Sequence, residues 1–137
     1  MPHVYLKAGE LEGEPLAGDG DCVALIKKYA PGVQGVPTSG WRAGKRVTEV
    51  MSLTPGTAIA TFVGGKYPNR PSGNHAAFFL RRAGAAIWVV DQGKNDPVNR
   101  PFIRARLIHG PKPRVRPNAD GSWPDASNVS EAYYVIE

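Results

Sequence analysis

The chain has 137 residues, of which 42% are hydrophobic and 21% charged, a size and composition that fit one globular domain and exclude a disordered polymer. The net charge of +5 favours contact with anionic polymers or surfaces but is too modest to mark a nucleic-acid binder, and no stretch approaches the roughly 20 apolar residues of a membrane span. A single cysteine excludes an internal disulfide, and neither a CxxC nor an HExxH pattern points to a metal site.

In chain order, the opening Met1-Pro2-His3-Val4-Tyr5-Leu6-Lys7 lacks the basic-then-apolar pattern of a secretory signal, which predicts synthesis without an encoded Sec export signal. Residues 1–18 read as an irregular lead-in with a short strand at 4–6. Cys22, Leu25, Ile26 and Tyr29 follow an i, i+3, i+4, i+7 stripe and predict a helix over 22–29. Asp19 or Asp21 caps its start, and Ala30-Pro31-Gly32 stops it. Residues 31–41 read as a loop ending in Trp41, followed by a short helix at 42–50. Beyond Thr54-Pro55-Gly56 the character changes: 57–63 is β-rich and predicts a strand. A Gly-, Pro- and Asn-loaded loop at 64–73 leads to two apolar runs, 75–80 and 86–90, joined by a hairpin turn at 81–85. Residues 102–109 alternate as a half-exposed strand, 110–125 are proline-rich and basic, and 132–136 form a closing strand. Asn128-Val129-Ser130 matches a glycosylation sequon, which without a signal peptide reads as chance. The whole predicts one α+β domain over 1–137, with an N-terminal helix packed on an antiparallel sheet.

Cys22 lies in Gly20-Asp21-Cys22-Val23-Ala24-Leu25, a glycine turn entering the helix, so the thiol sits in the first turn. Unpaired N–H groups and the positive end of the macrodipole favour a thiolate there, whereas the acidic Asp19 and Asp21 work against it unless they cap or face away. A small buried hydrophobe is the competing role for Cys22. A thiol nucleophile needs a base. Of the three histidines, His75 opens an apolar strand beside Gly73 and Asn74, where a sheet can present a side chain to a cleft. His109 follows a basic strand and His3 sits at a frayed terminus, so His75 ranks first. The orienting group depends on the hairpin. A three-residue turn at 82–84 pairs His75 with Asp91, and an even turn centred on Ala83-Gly84 pairs it with Gln92. Asp91 is the better partner for a protonated ring, while Gln92 offers a neutral hydrogen bond.

Gly-Asp-Cys at a helix start, a Pro-Gly-Thr turn into a strand, Gly-Asn-His-Ala-Ala-Phe, and a strand ending in Asp-Gln together resemble the papain-like cysteine amidases of the NlpC and CHAP type. Among these the chain is most similar to the small bacterial type VI secretion amidase effectors, over about residues 20–92. It departs from many relatives in placing Asn74 between Gly73 and His75. The resemblance implies hydrolysis of an amide in peptidoglycan peptide, between D-glutamate and meso-diaminopimelate or in the cross-bridge, by a monomer without cofactor or metal. Cys22 would attack, His75 would shuttle the proton and Asp91 would hold the ring. The helix-start N–H groups, Cys22 included, would stabilise the oxyanion. Trp41 would be a rim residue stacking on substrate, with core packing as its alternative, and Asn74 and Gln92 would contribute to binding. A cognate immunity protein, a secretion apparatus and delivery from the bacterial cytoplasm to a target-cell periplasm follow from the same resemblance. Two other functions compete: a cysteine hydrolase or deamidase toxin acting on protein, and a non-catalytic basic module using residues 112–116 with Arg104 and Arg106.

Overall fold

The computed structural model describes residues 2–68, 70, 73–93 and 101–137. Among the described residues, one α-helix, α1 (Cys22–Tyr29), and six strands make up the main frame: β1 (Ala43–Arg46), β2 (Ala58–Thr61), β3 (Ala76–Ala83), β4 (Ala86–Asp91), β5 (Arg104–Ile108) and β6 (Tyr133–Ile136). The strands form one sheet in the order β1-β6-β2-β3-β4-β5, with every neighbouring pair antiparallel.

The sheet is covered on both faces, which explains why its central strands read as unbroken apolar runs rather than as alternation. On one face Ala58, Ala60, Ala76, Phe78 and Val90 pack with Leu25 and Ile26 of α1 and with the buried Trp41. On the other, Ile59, Ala77, Phe79, Val89 and Tyr133 pack with Val47 and Ala132, and Trp123 closes over them. Leu25 and Ile26 are fully buried, so the helix stripe read from the sequence is the face that docks on the sheet.

Residues 42–50 are not a helix. They form β1 and a 3₁₀ turn at Val47–Glu49, because Arg42 exchanges both backbone hydrogen bonds with Glu137 and draws the segment onto the edge of β6. Local propensity yields here to pairing with a strand that is distant in the chain. The strand expected at 4–6 is reduced to one bridge, Val4 to Thr57. The loop expected at 64–73 lies partly outside the described residues.

The β3–β4 hairpin differs from both expected registers. Its turn is Gly84-Ala85, with Gly84 at φ 63° as a type II′ turn requires at its first position. Leu80 is then an extra residue: Phe79 faces Val89 while Arg81 faces Trp88. The bulge shifts the register by one and so exchanges the faces of everything beyond it. Without it Asp91 would align with Phe78 on the helix-covered face. With it Val90 takes that place, and Asp91 falls on the face of Ala77 and His75.

Candidate active site

Cys22, the candidate nucleophile, is carried by a turn that only glycine makes easily. Gly18 and Gly20 adopt φ of 54° and 88°, and Gly20 N–H closes the turn on the Ala17 carbonyl at 3.0 Å. Asp21 is the helix cap. Its N–H donates to Asp19 Oδ1 at 2.9 Å, and its own Oδ1 accepts the Cys22 N–H at 2.8 Å. The oxyanion donor expected from the sequence is therefore engaged by Asp21 when no substrate is present. Cys22 is 7% exposed, at the mouth of the core rather than deep within it.

His75 enters the site from the start of β3, where its backbone is fixed against β2. Thr61 N–H donates to the His75 carbonyl at 2.9 Å, and His75 N–H donates to Thr61 Oγ1 at 3.0 Å. The ring donates from Nε2 to Asp91 Oδ2 at 2.6 Å, which leaves Nδ1 for the thiol. Burial disfavours the charged ring. Its hydrogen bonds with Asp91 and Cys22, and the charges of both, outweigh that effect and raise its pKa to about 9. The imidazolium is thus the neutral-pH form, and it is the form that can protonate a leaving amine.

Asp91 is fully buried and pays for its desolvation with three charged partners. Besides His75 it accepts from Arg104 Nε at 2.7 Å and Arg106 Nε at 2.6 Å. Burial pushes the carboxyl upward, but the His75 hydrogen bond and charge, with those of the arginines, hold it well below the ordinary carboxylate range. Arg106 also donates to Asn128 Oδ1 and to the Ser127 carbonyl, tying Asp91 to the cover over the far face. Arg104 and Arg106 read from the sequence as a half-exposed basic face. The structure commits them to a buried carboxylate, which removes them from any free basic surface. Strand alternation put them on one face of β5, but nothing in it named the acid opposite; the β4–β5 register supplies it, with Asp91 facing Arg104.

Tyr67 is the other residue the sequence reading missed. It stands against the buried Trp41, with ring centroids 5.2 Å apart, and against Phe62. Burial pushes its phenol far above the usual range, reinforced by the charge of Cys22 and a hydrogen bond with it. The loop assignment of 64–73 carried no signal for this role. Trp41 itself is 1% exposed, so it supports the site from within the core and is not a rim residue. Gln92 lies on the opposite sheet face from the His75 ring and is fully buried, its amide bonded to the backbone of Ala17 and Asp21. It is therefore neither the ring's partner nor an open binding group. Asn74 donates from Nδ2 to the Arg70 carbonyl at 2.8 Å, and its buried Oδ1 has no partner among the described residues. It lines a cavity of about 210 Å³ with Thr61, Phe62, Arg70 and Trp123. His3 bonds the Pro31 carbonyl instead, at an exposed position. Among the described residues, no group of three or more His, Cys, Asp or Glu is arranged to hold a metal ion, and no helix is long and apolar enough to cross a membrane.

Such a constellation can perform acyl transfer: a thiol at a helix start, a histidine with one nitrogen toward it, and a buried carboxylate on the other nitrogen. Comparison with known proteins points the same way. Residues 6–112 match the family described as domesticated amidase effector 2. A type VI secretion amidase effector 2 protein of Salmonella typhi is 40% identical over 141 aligned positions, spanning 100% of both chains. A domesticated amidase effector 2 of Ixodes scapularis is 39% identical over 87 residues, 61% of this chain and 58% of the other. A solved structure of type 6 secretion amidase effector 2 superposes with a TM-score of 0.88 at 38% identity, covering 98% of this chain and 94% of that one.

Proposed function

This chain belongs to the domesticated amidase effector 2 family, and from that premise we propose that it is a cysteine amidase hydrolysing an amide bond in the peptides of bacterial peptidoglycan. The observation that carries the reading is the line from buried Asp91 through the His75 ring, joined at 2.6 Å, to Cys22 at the start of α1.

With the proton of Cys22 already held on His75 Nδ1, the sulfur attacks the scissile carbonyl carbon. The C=O electron pair moves onto oxygen, and the oxyanion takes over the Cys22 N–H from Asp21, with the Tyr67 hydroxyl beside the thiol as a second donor. Collapse breaks the C–N bond as His75 protonates the leaving amine, giving an acyl-thioester. Water, deprotonated by His75, then releases the acid and restores the thiol. Asp91 keeps Nε2–H engaged throughout and stabilises the imidazolium, and its two arginines keep the carboxylate from turning away. The substrate peptide seats against Asn74 and the cavity that it lines with Thr61, Phe62, Arg70 and Trp123.

Residues 1–137 act as one catalytic unit, a monomer working without cofactor. The type VI names of the relatives support delivery by that apparatus to a target-cell periplasm, where peptidoglycan lies, and an immunity protein that guards the producing cell. Incubation of purified protein with sacculi under reducing conditions, followed by muropeptide separation, tests the proposal. Wild type should release new products and Cys22→Ala none. No product from wild type would overturn it, and a Cys22-dependent change in a protein substrate instead would move the assignment to a protein-directed hydrolase.

A further inference from the structure

The residue after β4 makes a set of bonds that the chemistry above does not use. Gln92 is fully buried, and its Oε1 accepts the Ala17 N–H at 2.7 Å. Its Nε2 donates to the Ala17 carbonyl at 3.0 Å and to the Asp21 carbonyl at 2.7 Å. The amide thus docks on Ala17 as a peptide group would, and spends its remaining N–H at the other end of the turn. The opposite orientation would set NH₂ against an N–H and oxygen against two carbonyls, so the partners fix which end is which.

The Asp21 carbonyl belongs to the same planar peptide as the Cys22 N–H. Holding that oxygen therefore holds the plane from which the nucleophile and its N–H project. Within the turn Gly18 and Gly20 are both left-handed, one backbone bond closes it, Asp21 N–H donates to Asp19 Oδ1 at 2.9 Å, and the Asp21 carbonyl also accepts the Ala24 N–H at 3.0 Å, so Gln92 adds the hold from outside turn and helix. Meanwhile the preceding residue, Asp91, holds the His75 ring from the other face of the sheet. We propose that Gln92 is a positioning residue for the nucleophile, so that the consecutive pair Asp91-Gln92 aligns base and thiol from opposite faces of one strand end. The inference rests on the reading of Cys22 as the nucleophile.

The test is Gln92→Glu, which keeps the size but replaces both donors with acceptors, beside Gln92→Ala. Two readouts are compared with wild type: the pH profile of Cys22 alkylation by iodoacetamide, and kcat and KM on a purified muropeptide. Misplacement of a reacting group by an ångström reduces rates about 100-fold. Both variants should therefore lose about 10- to 100-fold in kcat with KM near wild type, and their alkylation profile should shift. If the variants fold poorly, amide hydrogen exchange in wild type decides: the Ala17 N–H should be protected although it lies in a turn. Wild-type kcat and alkylation in Gln92→Glu would overturn the inference, as would an Ala17 N–H exchanging like a free loop amide. Gln92-dependent alkylation in a protein inactive on peptidoglycan would uphold it while removing the proposed substrate.

Discussion

Replacing Asp91 with Asn isolates the charge from the geometry. The carboxylate has His75 and Arg106 on Oδ2 and Arg104 on Oδ1. The asparagine oxygen is favoured at the Oδ2 position, where it still accepts from two donors, and its NH₂ then faces Arg104. Arg104 has 18% of its side chain exposed and can turn toward water. The His75 tautomer is therefore retained and the negative charge lost. The rise in the His75 pKa from 6.5 to about 9 corresponds to about 3 kcal/mol of preference for imidazolium, at about 1.4 kcal/mol for each factor of ten. Asp91 heads the groups that raise it, with Cys22 sharing the effect, so even a full return to 6.5 costs only about fourfold in rate at pH 7, growing toward about 300-fold above pH 9. Stability should fall by about 3 kcal/mol, the low end for breaking a buried ion pair, because both arginines reach water. The assay is the pH–rate profile on a muropeptide with a urea melt in parallel. The alkaline limb should move from about 9 toward 6.5. An unmoved limb with wild-type kcat would refute the role given to Asp91.

Cys22→Ala should reduce activity to background while changing stability by about 1 kcal/mol, since alanine is a good helix former at a site on the edge of the core; sacculus digestion and a thermal melt check both. Trp41→Ala should destabilise by about 3–5 kcal/mol through the cavity it leaves, whereas Trp41→Phe should leave KM unchanged, because Trp41 touches core and not substrate. Stability should also depend on pH in a stated direction. The His75 contribution is complete below about 6.5 and is lost as pH rises through about 9, whereas that of Asp91 is present above about 3.8 and is lost as pH falls. Urea midpoints should therefore decline from pH 7 toward both extremes, and a midpoint that rises between pH 7 and 9.5 would contradict the imidazolium assignment.

The parts of this molecule that a sequence displays are those with local causes. The stripe Cys22, Leu25, Ile26 and the cap Asp21 define α1 within eight residues, and the apolar runs of β3 and β4 announce themselves by composition. Cys22, His75 and Asp91 could be nominated because nucleophile, base and acid chemistry restricts the residue types. What escaped depends on register. The choice between Asp91 and Gln92 turns on the Leu80 bulge, and no local preference distinguishes a bulged hairpin from a regular one of different turn length. The same holds for Arg104 and Arg106, whose partner is set by strand pairing, and for β1, where pairing with residues 134–136 overrode a helix-compatible stretch. Trp41 was evenly poised between rim and core by type alone, and its packing against Tyr67 decided it.

The strand order places β6 between β1 and β2, well inside the sheet. Synthesis runs the other way, so β2 through β5 leave the ribosome before the strand that joins them to β1. Until residues 133–136 emerge, β2 presents an unpaired edge over residues 59–61, next to the strand that begins beside His75, and those residues lack their partners on that side. Assembly of the sheet is thereby deferred until residues 133–136 have emerged. A nascent chain cannot complete the frame that aligns thiol and imidazole, and a fragment stopping short of residue 133 would carry Cys22, His75 and Asp91 without the full scaffold that brings them together.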